Sequence, residues 1–349
     1  MLMKTQSVVG VIASVSLLLL SVIPGDSRGA ASPEELVGSI SGQNLEQTIQ
    51  HLQDFGSRAF YLNSSRDAAT YIYDQFSALG LYVRYQPFMA LTHPVVNVIA
   101  ILNGSDTSAP AYLFGAHYDS ENMDATNYSL GLNLTAPGAD DDASGVAAVI
   151  ELARVLAPLH FNRTIMFVAF GAEELGYDWS GALKGSSAFV LEESGAGQQF
   201  AATAILDMIG YKRGSANNIT FIVENPADPF EMAAVQSILT YNLELDPTTI
   251  INASMTYSDH APFWWAGYPS MLVIEQMNPF NPYYHSSNDT IDKLNRSLMV
   301  ETTRALLGAL LSLNPIESVE VPEFPFPIAV AALVCVFLVP FYLRSAKED

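Results

Sequence analysis

Short apolar runs that stop abruptly, alternating with helical stretches, constrain the fold of this chain more than any other feature. Val95 to Leu102, Ala111 to Ala116, Thr164 to Phe170, Ala202 to Leu206, Ile219 to Val223 and Ser270 to Ile274 have the length and apolarity of buried strands. Apolar residues at helical spacing occupy 143 to 157, 185 to 193, 228 to 241, 260 to 266 and 296 to 313, and separate most of these strands. Two earlier helical stretches, 33 to 54 and 66 to 80, precede them, the second closing at Gly80 as a helix C-terminus does. This rhythm predicts a three-layer α/β/α sandwich with a mixed, largely parallel central sheet, in one domain over residues 32–315. Ligands and chemistry then belong at the carboxyl ends of the strands.

Ionisable residues recur at those ends. AYLFGA runs into His117-Tyr118-Asp119, TIMFVAF into Gly171-Ala172-Glu173-Glu174 and ATAIL into Asp207, while Gly138-Ala139-Asp140-Asp141-Asp142 opens the helix at 143. A single acid there means little, because loops are polar and burying a charge costs desolvation. Four strand-end clusters together point to a metal centre. The only cysteine, Cys335, lies in an apolar run, so a metal must be held by imidazole nitrogen and carboxylate oxygen. A two-metal site needs one carboxylate that bridges both ions and others that close each side. Of two adjacent glutamates, one can hold metal while its neighbour takes a proton from water.

Charge excludes other classes. The chain has 36 acidic against 15 basic side chains, a formal net charge of -21, so it lacks the basic stripe with which proteins displace counterions from nucleic acid.

HYDS, PGADDDASGVAAVIELARVL, GAEELG, ILDMIGY, SDHAPFWWAGYP and YYHSSNDT resemble, in this order, the motif series of the co-catalytic zinc exopeptidases of metallopeptidase family 28. That family includes secreted bacterial leucyl aminopeptidases and glutamate carboxypeptidase relatives, and its fold is of the zinc exopeptidase, phosphorylase/hydrolase-like type. Carried over motif by motif, the resemblance implies two Zn²⁺ per chain. His117 and Asp207 would hold one, Glu174 and His285 the other, and Asp141 would bridge them. It implies Glu173 as general base, taking the proton of a water held between the ions and passing it to the leaving amine. Asp140 and Asp142 are then not ligands, and Asp119 accepts the second ring N–H of His117. Met208, Met277, Phe280 and Tyr284 flank the ligand positions and are expected to form an apolar substrate pocket. Ser258 reads as the N-cap of a helix starting near 260. Tyr257 stands at a different offset from Ser-Asp-His than the tyrosine that some family members aim at the oxyanion. Residues Tyr177 to Lys184 intervene where the family usually places Gly-Ser soon after Glu-Glu-Leu-Gly, as an insertion beside the base.

The two ends read as addresses. Lys4, the apolar stretch Val8 to Ile23 and the small residues Gly29, Ala30 and Ala31 have the order of a secretory signal peptide over residues 1–31. Residues 316–325 form a linker containing Pro322-Glu323-Phe324. Phe326 to Leu343 is an apolar run of 18 residues, long enough to span a bilayer, and residues 344–349 form a basic tail. This ensemble resembles the C-terminal sorting tags that archaeosortases process. A membrane segment, or a lipid replacing it, would hold the domain on the outer face of the cell. Nine Asn-x-Ser/Thr sequons, at Asn63, Asn103, Asn127, Asn133, Asn162, Asn218, Asn252, Asn288 and Asn295, accord with an exported glycoprotein.

The expected activity is therefore that of an exported, membrane-anchored di-zinc aminopeptidase acting on peptides. The alternatives are a carboxypeptidase of the same chemistry, which would need a fixed arginine for the substrate carboxylate, and a non-catalytic surface domain.

Overall fold

The computed structural model describes residues 31–122, 135–174 and 182–317. The expected leader, of which only Ala31 is described, lies outside these residues, as do the span at 326–343, the basic tail, Asn127, Asn133 and most of the insertion at 177–184. No helix among the described residues is long and apolar enough to cross a membrane.

Eight strands form one sheet: β1 (Tyr82–Ala90), β2 (His93–Leu102), β3 (Ala111–His117), β4 (Ile165–Phe170), β5 (Phe200–Leu206), β6 (Asn218–Val223), β7 (Asp246–Ile251) and β8 (Ser270–Glu275). Their spatial order is β1-β2-β4-β3-β5-β8-β6-β7. The centre β4, β3, β5, β8 is parallel, as is the β6–β7 pair, whereas β1–β2, β2–β4 and β6–β8 are antiparallel. The sheet is thus mixed and largely parallel at its centre.

Alternation along the central strands divides the core into two faces. Phe114 and Ala116 of β3, Phe167 and Ala169 of β4 and Ala204 and Leu206 of β5 face one layer of helices. That layer comprises α1 (Pro33–Gly38), α2 (Gly42–Asp54), α3 (Asn63–Ala78), α4 (Ala143–Leu156), α6 (Pro229–Thr240) and α8 (Arg296–Leu313). Leu113, Val168, Phe170 and Ile205 face the other, where α5 (Lys184–Gly195) and α7 (Ala261–Trp265) pack through Phe189 and Phe263. The result is a three-layer sandwich. Phe167 lies fully buried, its ring centroid 6.2 Å from that of Phe114 and 6.3 Å from that of Phe76, so its truncation to alanine would cost about 3–5 kcal/mol.

Two details differ from the sequence expectation. The stretch 33–54 is two helices, because Ser32 caps α1 through a reciprocal bond with Glu35 and Ser41 starts α2 anew by accepting from Asn44 N–H. The N-cap of α7 is His260, and Ser258 makes no side-chain capping bond; its hydroxyl is buried without a hydrogen-bond partner.

Candidate metal centre and active site

Three neighbouring central strands end at one place. His117 is the last residue of β3, Asp207 follows β5 directly, and Glu173 and Glu174 lie on the turn that leaves β4. Asp142 welds the strand ends to the helix layer. Its Oδ1 accepts from Gly145 N–H at 2.9 Å, capping α4, and from Met208 N–H at 3.2 Å, while Oδ2 accepts from His117 N–H at 3.2 Å. Asp140 accepts from Gly210 N–H at 2.8 Å and from Asn281 Nδ2 at 2.7 Å. Both carboxylates are thereby occupied by amide donors. Of the three consecutive aspartates, Asp141 alone turns toward the imidazoles. Its N–H and that of Asp140 are held by Asp289 at 3.1 and 2.9 Å.

The five expected ligand positions converge. His117 Nε2 is 3.1 Å from Asp141 Oδ1 and 3.6 Å from Asp207 Oδ1. His285 Nε2 is 3.0 Å from Asp141 Oδ2 and 2.5 Å from Glu174 Oε1. The trios His117, Asp141, Asp207 and Asp141, Glu174, His285 each bring their donor atoms within 4.8 Å of one another, so Asp141 is common to both and gives one oxygen to each. Glu173 falls within the same span of His117 and Glu174.

Electrostatics show what such packing does to the acids. Burial, then the neighbouring Glu174 charge, pushes the Glu173 carboxyl well above the ordinary glutamate range. Burial and Asp141 push Glu174 up to about 8. For Asp141 burial acts in the same sense, but the close ring nitrogens of His117 and His285 outweigh it and hold the group far below the usual range. Burial lowers His285, yet the Glu174 charge and the contacts with Asp141 and Glu174 carry it up to about 11. Buried acids crowded in this way call for positive charge. Asp141 Oδ2 is buried and receives no hydrogen bond of good geometry, and the donors facing it are imidazole nitrogen and carboxylate oxygen, the set that zinc takes. The residues present therefore fit zinc.

Asp119 does more than flank His117. Its Oδ1 is 3.7 Å from His117 Nδ1, longer than a hydrogen bond. The bonds it accepts come from Glu173 N–H and Glu174 N–H, both at 3.1 Å, one on each oxygen. One buried carboxylate thus fixes the turn that carries both glutamates, a role invisible in the spacing of the motifs.

A cavity of about 300 Å³ opens on the cluster. His117, Asp141, Glu173, Glu174 and Asp207 form its acidic end, and Met208, Met277, Phe280 and Tyr284 line it as expected from sequence. Two further residues line it, Ile274, which nothing in the sequence singles out, and Tyr257, whose offset from Ser-Asp-His sets it apart from the family's tyrosine. Ile274 is the penultimate residue of β8, hidden within an apolar run, and Tyr257 donates its hydroxyl to Met277 Sδ at 3.3 Å. Tyr284 stacks on the His285 ring at 3.6 Å between centroids. Asp259 is buried and pushed up to about 7 by that burial, whereas burial lowers His260 to about 4, leaving its ring neutral and bonded to Met255 O at 2.7 Å. No Lys or Arg is among the described lining residues, and Arg213 is exposed elsewhere.

Comparison with known proteins settles the family. The model of Peptidase family M28 matches residues 97–310. The chain belongs to peptidase family M28. As a peptidase of this family it is a zinc-dependent hydrolase. It is 26% identical over 307 residues to "Leucine aminopeptidase 1" of Coccidioides posadasii, a match covering 82% of this chain and 74% of the relative. Over 199 residues it is 34% identical to a "Probable zinc metalloprotease" of Pyrenophora teres f. teres, covering 51% of this chain and 40% of that one. Among solved structures, LapB from Legionella pneumophila superposes with a TM-score of 0.68 at 25% identity, covering 83% of this M28 chain and 77% of its own.

Proposed function

We propose that this M28 peptidase is a di-zinc aminopeptidase that removes apolar residues from the N-terminus of peptides. In this reading His117 and Asp207 would hold one ion, Glu174 and His285 the other, and Asp141 would be shared between them. When bound, zinc supplies Lewis acidity and lowers the pKa of water. Glu173, buried beside both trios, accepts the proton of the attacking water and returns it to the leaving amine. Asp119 holds the Glu173 backbone while this proton moves. Tyr257 spends its hydroxyl on a thioether, a weak acceptor, and is free to donate to the charge that develops on the scissile oxygen.

The single observation that carries the choice of aminopeptidase is the make-up of the cavity: an apolar slot ends against the acidic cluster with no Lys or Arg among its described lining residues. A substrate carboxylate would require a fixed arginine there, whereas a substrate ammonium requires none. Met208, Ile274, Met277 and Phe280 would receive the first side chain, which accords with the name of the Coccidioides relative. Leucyl peptides with a free amine and a blocked carboxyl should be cleaved in the presence of Zn²⁺ and spared after chelation. Cleavage of N-blocked, C-free peptides instead would establish the carboxypeptidase.

The signal-like start and the apolar C-terminal run support display of the domain on the outer cell face, held by the segment or by a lipid that replaces it. Recovery of the full chain in the soluble cytoplasmic fraction would refute this placement.

A further inference from the structure

Arg58 is the largest fully buried side chain of the described residues, at 0% exposure, and it precedes the stretch that the family model matches. Among the described residues it pairs with no carboxylate. Its Nε donates to Tyr118 O at 2.7 Å, Nη1 to Leu52 O at 3.2 Å and Pro137 O at 2.6 Å, and Nη2 to Gly138 O at 2.8 Å. Its backbone N–H donates to Ser120 Oγ at 3.0 Å, which in turn donates to Ala136 O at 2.8 Å. Arg58 therefore ties the end of α2, at Leu52, to two segments that never pair as strands: 118–120, which continues from His117, and 136–138, which leads into Asp141. Gly138 shows how close the grip is. At φ +54° it has no Cβ, and one added there would stand 2.7 Å from Arg58 Nη2 and 2.4 Å from Asp141 O.

Burying a guanidinium is costly unless its donors are satisfied, and here four backbone carbonyls satisfy them, so the surrounding backbone is built to the shape of this side chain. Burial lowers Arg58 to about 10, which keeps it protonated at neutral pH, and Asp289, Asp119, Asp141 and Asp142 lie near enough to favour that charge. The cation sits behind the acidic cluster, outside the cavity lining, where it cannot touch substrate.

We infer that Arg58 is a positioning residue for the metal centre: its planar fork sets the distance between the His117–Asp119 strand end and the loop carrying Asp141, and so the spacing of the donor atoms. This rests on the di-zinc reading above. The fork, rather than the charge alone, performs the task, because four carbonyls in fixed directions match a guanidinium and not a flexible ammonium.

The test compares full-length wild type with Arg58→Lys and Arg58→Gln, measuring zinc affinity by competition with a chromophoric chelator, together with unfolding of the zinc-free protein. Arg58→Lys keeps the charge and loses the fork. It should fold and bind zinc about 10- to 100-fold more weakly, with kcat reduced and KM for a leucyl substrate little changed. A purely structural arginine would lower zinc-free stability and leave the zinc affinity of the folded protein unaltered, and that outcome overturns the inference. So does full rescue of zinc affinity by lysine. If neither Arg58 variant folds, Ser120→Ala, which cuts one link between the two segments, should weaken zinc binding in the same direction; unchanged affinity there overturns the inference as well. Wild-type protein that takes up no zinc overturns the di-zinc reading and this inference together, whereas zinc uptake by wild type matched by both variants overturns this inference alone.

Discussion

The two donor trios that share Asp141 are built by different means. His117 and Asp207 close β3 and β5, two strands paired directly in the parallel centre of the sheet, and the Asp207 N–H itself donates to Val273 O at 3.0 Å. Glu174 and His285 stand on loops, where the backbone ladder gives no support and other contacts must replace it. Asp119 holds Glu174 N–H, and Tyr284 stacks on His285, whose φ of +49° lies in the left-handed region. Strand-borne donors are placed by folding; loop-borne donors need their own fastenings.

Glu173 belongs to neither trio, and its loss is the largest effect expected. Glu173→Gln should retain zinc by elemental analysis while kcat falls about 10²- to 10⁴-fold. Near-normal turnover would remove the distinction between holding metal and moving a proton. Asp119 comes next, because it touches both sides, standing beside the His117 ring and binding the Glu174 backbone. Asp119→Ala should weaken zinc about 10- to 100-fold at both positions, read by isothermal titration. A loss confined to one position would show that it serves only that half.

The comparison sharpens further in the absence of metal. Amide hydrogen exchange should be slow at His117 and Asp207, whose N–H groups are bonded to Asp142 and Val273, and faster at His285. Zinc should narrow the gap, since a ligand stabilises whatever it binds. Equal protection without metal would break the comparison.

The smallest effect lies outside both halves, at the α6 N-cap. Burial pushes Asp228 up to about 6 from 3.8, although amides of Phe230 and Glu231 pull the other way. A raised acid favours the folded state while protonated, so its contribution is full below pH 3.8 and lost as pH rises through about 6. Asp228→Asn, which can still cap, should match wild type near about pH 4 and exceed it near about pH 7 in chemical denaturation, with zinc binding unaffected.

Legibility in the sequence followed burial. The six buried strands carry continuous apolar runs and were readable, but β1 and β7 are the sheet's edges and were not. In β1, Arg84, Gln86 and Pro87 interrupt the pattern, and β7, Asp-Pro-Thr-Thr-Ile-Ile, has no fully buried residue. At the site, acids at strand ends stand out because they terminate apolar runs. Arg58 does not, because its partners are backbone carbonyls, which any residue type supplies. Ile274 is likewise silent: nothing in a uniformly apolar strand marks which position faces a cavity. The break between α1 and α2 does leave a trace in the spacing, for Leu45 stands about two and a half turns beyond Leu36, out of phase with a single helix.

The sulfur of Met277 has a chemical consequence of its own. It is half-exposed on the wall of the slot, in contact with the Tyr257 hydroxyl. Oxidation to the sulfoxide would turn this soft surface into a strong dipole beside the tyrosine. Peroxide exposure would then blunt hydrolysis of greasy N-termini, and a methionine sulfoxide reductase would restore it.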